Sequence, residues 1–259
     1  MRKRVALGAA ITGALALTAV IAPAAQADDK YGNISVSGVS VNGGKAIVLG
    51  STAKKTVKLS FTVTDNSGVK MATGYLFHGK NIDTADSAVL PSKDPFTCKK
   101  VTSTKSTCSA NFTFTPGSNA INKVAGTWKT WLIAQAKDNN YVQKDNARSF
   151  KVLRASQLAG TNAAPEPVKK GATVTVTSKL TRANWDTGVN GGFGGQPVVL
   201  QFKAKNASSY KTVKTVKSSS TGALSTTVKA GVDGSYRYVF AGTAATAASN
   251  AAGDFIDVK

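Results

Sequence analysis

The chain contains a single histidine, and this limits the acid–base chemistry that its side chains can perform. Lys80, Asp83 and Asp86 lie close to His78 in the sequence, and a Ser-His-Asp arrangement would need His78 as its base. No short motif marks a nucleophile, a two-histidine zinc site or a phosphate-binding loop. We therefore predict that His78 is a solvated strand-edge residue, and that the protein is not an enzyme and uses no cofactor.

Two loops are rich in the oxygen ligands that calcium prefers. One contains Asp83 and Asp86, and the other lies between two predicted strands. The second loop carries Asp138, Asn139, Asn140, Asp145 and Asn146. Neither loop has a known ligand spacing, and Lys137 and Lys144 flank the second one. Turn chemistry accounts for such residues, so we predict no metal site.

The tryptophans are candidates for binding through an aromatic ring. Trp128 and Trp131 are three residues apart on a predicted strand, so their side chains point to opposite faces. Trp131, on the face away from Leu132, is either an exposed contact or a residue packed under a loop. Trp185 precedes a glycine-rich segment, and with Phe193 it either packs in the core or stacks on a sugar. The candidate aromatic contacts are Trp131 and Trp185.

Basic residues are the remaining candidates for binding. The chain has 33 Lys and Arg against 13 Asp and Glu, a formal net charge of +20. Most are lysines, which suit diffuse attraction better than bidentate reading of phosphates or bases. We predict association with anionic cell-wall polymers or an extracellular protein and with no specific nucleic acid; the alternative is that the lysines serve solubility and protect sheet edges. The candidate polyanion contacts are Lys203, Lys205, Lys211, Lys214 and Lys217.

The first 27 residues have the pattern of a secretory signal peptide. Basic residues at 2–4 precede an apolar stretch, and Ala25-Gln26-Ala27 is a small-residue cleavage pattern before Asp28. An uncleaved anchor is the alternative, because the apolar run is near the lower length limit for a membrane span. We expect cleavage, secretion and no other membrane span. Loss of the three basic residues would lower the net charge to +17.

Cys98 and Cys108 are the only cysteines. Their midpoint falls in the polar run 102–107, which suits the turn of a hairpin whose neighbouring strands carry the two sulfurs. In an exported chain, two cysteines pair most simply in one disulfide. A redox role would favour a closer C-x-x-C spacing beside a helix start, so we predict a structural bridge.

Strands must position these residues, because period-two alternation dominates the chain after Asp28 and helical patterns are nearly absent. Val57, Leu59, Phe61 and Val63 alternate with polar residues. About seven or eight such runs before residue 154 suit a Greek-key sandwich of two antiparallel sheets. Further runs begin at Ala172, after a Gly- and Pro-containing segment typical of a linker.

The C-terminal runs include two hairpin patterns. Thr221-Gly222 separates the run 210–217 from the next one, and Asp233-Gly234 is typical of a two-residue turn between paired strands. The valines of 211–217 recur with period three, which predicts a bulge or a strand end. We predict a signal peptide at 1–27, an N-terminal domain at 29–154, a linker at 155–165 and a C-terminal domain at 166–259.

The C-terminal half resembles the bacterial immunoglobulin-like modules of secreted actinobacterial proteins. The matching residues include Gly195-Gln196-Pro197, Phe202, Tyr210, Gly222, Asp233-Gly234, Tyr236, Phe240, Gly242 and Asp254. The N-terminal half is similar more loosely, through Asp65-x-Ser67-Gly68 and Gly126-Thr127-Trp128. The resemblance implies two tandem immunoglobulin-like β-sandwiches, and it transfers no activity, because such modules serve adhesion, spacing and recognition alike.

These observations favour a secreted, non-catalytic binding or structural module. One alternative is a secreted inhibitor or antagonist that acts through a loop, for which 91–99 is the best candidate because Pro91, Pro95 and Cys98 would stiffen it. The second alternative is a carbohydrate-binding module. The ligand itself is left open by the sequence.

Overall fold

A computed structural model describes residues 28–259, and nearly all of their regular structure is β-strand. The helical elements in this range are two short 3₁₀ helices, Asn42–Gly44 and Asn122–Val124. Neither helix is long or apolar enough to cross a membrane. The signal peptide predicted at residues 1–27 lies outside the described residues. The predicted fold class, all-β with facing antiparallel sheets, is confirmed for the described range.

The first part of the chain forms two facing sheets. Its strands are β1 (Asp29–Tyr31), β2 (Ser35–Val41), β3 (Ile47–Leu49), β4 (Lys55–Thr64), β5 (Val69–His78), β6 (Ser87–Val89), β7 (Thr97–Lys100), β8 (Lys105–Phe114), β9 (Gly126–Ala136), β10 (Tyr141–Lys144) and β11 (Ser149–Arg154). One sheet has the order β2-β4-β8-β7. In the other, β9 is central, with β5 on one side and β10 and β11 pairing with different parts of its length. The one parallel pairing between these named strands joins β3 to β11.

The alternation in β4 places its apolar side chains between the two sheets, as predicted. Val57, Leu59, Phe61 and Val63 are all buried. They belong to one hydrophobic cluster with Trp128, whose indole Nε1 donates to the carbonyl of Val124 at 2.7 Å. Because full burial of each large apolar side chain contributes about 1.5–3 kcal/mol, this alternation fixes which face of β4 is internal.

The predicted disulfide between Cys98 and Cys108 is confirmed. The two residues are register partners on the antiparallel strands β7 and β8, which places their sulfurs side by side. Cys108 is buried and Cys98 packs against the same hydrophobic cluster. The bridge therefore ties the edge strand β7 to the sheet.

Replacing both cysteines by alanine is expected to lower the free energy of unfolding by about 3 kcal/mol, because the bridge restricts the unfolded chain. Urea unfolding followed by tryptophan fluorescence measures this loss, which should fall mainly on the N-terminal part. Protein that is alkylated without reductant should carry no label on either cysteine. Labelling of both thiols would contradict the bridge.

The second part of the chain also forms facing sheets. Its strands are β12 (Ser156–Leu158), β13 (Asn162–Ala164), β14 (Thr173–Asn184), β15 (Val189–Gly192), β16 (Pro197–Ala204), β17 (Lys211–Lys217), β18 (Ala223–Lys229), β19 (Gly234–Phe240), β20 (Ser249–Asn250) and β21 (Asp254–Ile256). On one side, β14 pairs with β12, β13, β15 and β18. On the other, β17, β16 and β19 lie in order, and β20 and β21 pair with β19.

A second hydrophobic cluster lies between these sheets and includes Leu200, Tyr238 and Phe240. The Tyr238 hydroxyl donates to the carbonyl of Val176 at 2.8 Å, which joins the two sheets, and burial raises the pKa of Tyr238 to about 12. Residues 155–165, the predicted linker, contain β12 and β13, and both strands pair with β14. The domain boundaries themselves stay predictions.

The two hairpin predictions in the C-terminal half are wrong. Strands β17 and β18 belong to different sheets, and so do β18 and β19. Asp233-Gly234 lies where the chain crosses from the sheet of β18 to the sheet of β19. The Asp233 carboxylate accepts the N–H of Val258 at 2.9 Å. A Cβ on Gly234 would lie 2.4 Å from the ring of Phe202, so close packing explains the glycine. The predicted irregularity in β17 is confirmed, since its register with β16 shifts between Leu200 and Gln201.

Candidate functional site

His78 is part of a surface ion-pair cluster at the end of β5. Its Nδ1 lies 3.1 Å from Asp86 Oδ2, and Lys123 Nζ donates to Asp86 Oδ1 at 2.8 Å. These bonds, from Lys123 first and His78 second, lower the pKa of Asp86 below its ordinary value. Both oxygens of the carboxylate are therefore engaged, one by the histidine and one by the lysine.

The oxygen-rich residues at 138–146 occupy two turns on either side of β10, and hydrogen bonds organise the first of them. Asn140 donates from its backbone to Asp138 Oδ1 at 3.2 Å, and its side-chain amide donates to Asp138 Oδ2 and Asn33 Oδ1, both at 3.0 Å. Between residues 28 and 259 there is no group of three or more His, Cys, Asp or Glu side chains arranged to hold a metal ion. The first turn is organised by hydrogen bonds of the kind that Asx residues make. In the second turn, Asp145 Oδ2 is buried and accepts no hydrogen bond from the residues that the structure describes.

The five candidate polyanion contacts do not share one surface. The register partners are Phe202 for Lys211, Leu200 for Lys214, Ser235 for Lys203 and Pro197 for Lys217. Paired residues lie on the same face of a sheet, so Lys211 and Lys214 are on the side of the core, at the edge strand, while Lys203 and Lys217 are on the outer side. Lys205 follows β16 and lies 3.4 Å from Asp233.

Trp185 is a core residue and not an exposed contact, which corrects one of its two predicted roles. Its side chain is 1% exposed and packs, together with Ala183 of β14, in the hydrophobic cluster of the first part of the chain. The indole Nε1 donates to the carbonyl of Leu49 at 3.3 Å, and its backbone N–H donates to Asn122 Oδ1 at 3.0 Å. The residue therefore joins the two parts of the molecule.

Further hydrogen bonds surround this junction. Asn122 donates from its backbone to Asp186 Oδ1 at 2.9 Å, and Arg154 Nε donates to the carbonyl of Ala183 at 2.6 Å. Burial, together with repulsion from Arg182, lowers the pKa of Arg154 to about 10. Arg154 thus remains a cation at neutral pH. Its bond to the Ala183 carbonyl links the first part of the chain to the second.

Trp131 lies on an outer sheet face that carries a group of aromatic and apolar side chains. The residues of β9 at even spacing from Trp128 are buried. Trp131 lies at odd spacing from Trp128, so its side chain points away from the core. We call this group the aromatic platform. It consists of Tyr31, Met71, Tyr75, Trp131, Ile133, Gln135 and Tyr141. Cross-strand register brings these residues to one face: Tyr75 pairs with Trp131, Met71 with Gln135, Gln135 with Tyr141, and Tyr141 with Tyr31.

Two aromatic pairs organise the platform. The rings of Tyr75 and Trp131 are stacked, with centroids 5.3 Å apart and planes 11° apart. Tyr31 and Tyr141 form a looser stacked pair at 6.4 Å, and Tyr31 is 65% exposed. In each pair one face of a ring meets its partner and the opposite face is directed away from it. Since stacking fixes the rings, the platform is organised before any ligand arrives.

A shallow depression lies between the two pairs. It has a volume of about 280 Å³ and is lined by Met71, Ile133, Gln135 and Tyr141. The Tyr141 hydroxyl donates to Asp29 Oδ2 at 2.8 Å, and this bond raises the pKa of Tyr141 above its ordinary value. The depression is therefore apolar at its floor, with a neutral phenol and an amide at its rim.

A larger cavity, of about 410 Å³, lies where the two parts of the molecule meet. Its lining includes Ser51, Thr52, Gln157 and Asn190 and contains no charged or aromatic side chain. It offers volume and neutral hydrogen-bonding groups. The aromatic platform combines aromatic faces, an apolar floor and amide groups, so it is the better candidate for recognition.

Sequence reasoning identified Trp131 and missed the platform residues that lie on other strands. The alternation in β5 would have placed Met71 and Tyr75 on one face, because residues two and four apart point the same way. Tyr31 and Tyr141 lie on short strands, which carry little periodic signal. The pairing between strands, which assembles the platform, depends on the topology of the sheet.

No protein-family profile and no curated protein sequence matches the chain. Solved structures that match include the fibronectin(III)-like modules of CbhA from Clostridium thermocellum, with 10% identity, a TM-score of 0.30, and coverage of 85% of this chain and 92% of that one. The D00–D0 domain of intimin matches with 12% identity, a TM-score of 0.30, and coverage of 86% and 99%. The Escherichia coli adhesin FdeC matches with 19% identity, a TM-score of 0.31, and coverage of 86% and 66%. These neighbours are bacterial immunoglobulin-like or fibronectin-III-like modules, and the actinobacterial affiliation stays a prediction.

Proposed function

We propose that the protein is an exported, non-catalytic binding module that holds a glycan on the aromatic platform. The observation that carries the proposal is the stacked pair of Tyr75 and Trp131 on an outer sheet face, next to the Tyr31–Tyr141 pair. Aromatic side chains that remain partly exposed on a folded protein mark interaction sites more often than isolated apolar residues do.

The chemistry of the platform suits a sugar ring. A pyranose has a face of C–H groups, which packs against the electron-rich face of an aromatic ring. Its hydroxyl groups need hydrogen-bond partners of both kinds, and side-chain amides supply donors and acceptors on one group. Gln135 borders the depression, and Gln143, the register partner of Ile133, lies on the same face. A neutral or weakly charged glycan fits this mixture.

Absence of catalysis is part of the proposal. The one histidine of the chain is bound to Asp86, and both cysteines are joined in a disulfide. The platform offers packing surfaces and amides, and its phenol at Tyr141 is held neutral by Asp29. Packing surfaces and amides bind and orient a ligand without supplying a nucleophile, and the Asp29 carboxylate is engaged by the Tyr141 hydroxyl.

The loop proposed for an inhibitor is less favoured by its packing. Phe96, near its centre, is buried and its ring lies 5.8 Å from Phe61 and 6.0 Å from Phe112. The backbone N–H of Ser92 donates to the carbonyl of Asn111 at 2.8 Å. The loop is therefore anchored to the sandwich at Ser92 and Phe96, and between them only the short stretch of exposed side chains at 93–95 is left to meet a target.

Export and charge complete the proposed function. The signal pattern at residues 1–27 and the disulfide support an extracellular location. The excess of 33 basic over 13 acidic residues supports attraction to anionic envelope polymers. This attraction brings the protein to a surface, and the aromatic platform then selects the glycan.

The test is affinity electrophoresis of the secreted protein through gels that contain single soluble polysaccharides, neutral and anionic, together with a glycan array. Both are run at about 0.15 M and about 1 M salt, where the Debye length falls from about 8 Å to about 3 Å. We expect at least one glycan to be retained at both salt concentrations, because stacking is not screened. Loss of all retention at high salt, or no retention at either, would contradict the platform proposal.

A further inference from the structure

A second group of side chains gathers on the outer sheet face of the C-terminal part, away from the aromatic platform. Arg237 on β19 pairs in register with Gln201 on β16, and Lys203 pairs with Ser235. The intervening residues, Phe202 and Tyr236, point to the core side. Arg237, Gln201 and Lys203 therefore share the outer face of the sheet.

The Arg237 guanidinium is fixed by two contacts. Its Nε donates to Gln201 Oε1 at 2.9 Å, and its Cζ lies 3.8 Å from the centroid of the Tyr210 ring. Lys203 Nζ lies 5.4 Å from the same centroid. A guanidinium stacked on a ring and bonded through Nε keeps its two Nη groups free to form a parallel pair of hydrogen bonds.

The position of Tyr210 is itself determined by close packing. A Cβ on Gly253 would lie 2.7 Å from the Tyr210 hydroxyl and 3.8 Å from Arg237 Cβ. The tyrosine therefore occupies space that any larger residue at position 253 would take. Gly253 allows the ring to lie against the sheet, where it supports the guanidinium.

Neither cation has a carboxylate partner. Within the described residues 28–259, no ion pair includes Lys203 or Arg237. Asp254 is the register partner of Tyr236, so it lies on the core side, where it accepts the N–H of Ala163 at 2.8 Å. Two cations that share one ring repel each other, and an anion placed between them would relieve that repulsion.

We propose that Arg237, Tyr210, Gln201 and Lys203 form a binding site for an oxyanion, a carboxylate or phosphoryl group carried by an extracellular polymer. The Arg237 fork binds two oxygens of the group, Lys203 adds a point charge, and Tyr210 holds the fork in place. This inference differs from diffuse attraction by lysines, because it assigns the recognition to one oriented arginine. It does not depend on the aromatic platform.

The test measures binding of two small probes, tripolyphosphate and trigalacturonate, to the full secreted protein by isothermal titration calorimetry. Arg237→Lys keeps the charge and removes the fork, and Arg148→Lys makes the same change at an exposed arginine in the N-terminal part. We expect Arg237→Lys to weaken the binding of at least one probe by about tenfold or more, and Arg148→Lys to leave it within about twofold.

Tyr210→Leu is the second variant, because it leaves every charge in place. It should weaken the same probe, and thermal unfolding of each variant checks that the sandwich is intact. Binding of phosphate alone, carboxylate alone or both would support the site and name its ligand class. Equal weakening by Arg237→Lys and Arg148→Lys, no effect of either, or no binding of either probe to the unmodified protein would overturn the proposal.

Discussion

Replacing Trp185 by alanine is expected to lower the free energy of unfolding by about 3–5 kcal/mol, the range for large aromatic side chains removed from a protein core. The side chain is 1% exposed and packs among residues of the first hydrophobic cluster. Its removal leaves a cavity there and takes away the hydrogen bond to the carbonyl of Leu49. A buried carbonyl that loses its donor adds to the cost.

The location of the loss is as informative as its size. Trp185 follows β14 in the sequence, yet its ring packs in the N-terminal part, so we expect the N-terminal part to be destabilised by a change outside it. Trp128 and Trp131 remain as fluorescent reporters of that part. Urea unfolding followed by their emission measures the effect directly.

Trp131→Ala is the matched control for this experiment. It removes the same kind of side chain from a partly exposed position on the outer face, where the ring stacks on Tyr75. We expect a loss of about 0.5–1.5 kcal/mol, the contribution of an aromatic pair. Equal losses for the two variants, or an unchanged midpoint for Trp185→Ala, would show that Trp185 does not join the two parts.

The alternation of side chains between the two faces of a strand was the strongest sequence signal, and the burial that it predicted is confirmed in the long strands. In β4 and β9 it predicted which side chains are buried, including the division between Trp128 and Trp131. The disulfide was also accessible, because two cysteines at hairpin spacing have few alternatives in an exported chain. These features depend on local geometry alone.

Features that depend on contacts between distant segments were not accessible. Trp185 and Leu49 are separated by 136 positions, and nothing in the alternation around either residue indicates the other. Strands of three residues, such as β1 and β3, are too short to show a period. The Asp233-Gly234 pattern wrongly predicted a hairpin. The same dipeptide suits a tight turn and also a crossing between sheets, where a side chain such as Phe202 leaves no room for a Cβ.

The aromatic platform combines both cases. Parity placed Trp131 outside the core, but its stacked partner Tyr75 is 56 positions earlier, and only the register of β5 with β9 brings the two rings together. The sequence can therefore indicate single residues of a binding surface that several strands build, but it does not indicate which residues come together. This explains why the sequence nominated a single ring where the structure has two pairs.

Trp131→Ala is also expected to weaken binding of the retained glycan by about 30-fold, or about 2 kcal/mol, as for a central aromatic contact residue. The variant removes the stacking surface and leaves Tyr75 without the ring that orients it. Tyr75→Ala should have a similar effect. Affinity electrophoresis at about 1 M salt measures both, because screening then removes the contribution of the lysines.

The double variant shows whether the two rings act together. If Tyr75 contributes mainly by holding Trp131, the losses in the single variants will sum to more than the loss in the double variant. Phe255→Ala is the control, since this side chain is 39% exposed on the C-terminal part and lies outside the platform. Equal losses for Phe255→Ala and Trp131→Ala would refute recognition by the platform. Unchanged binding in Trp131→Ala would place the glycan elsewhere, because a ring that packs directly on a sugar cannot be removed without loss of affinity.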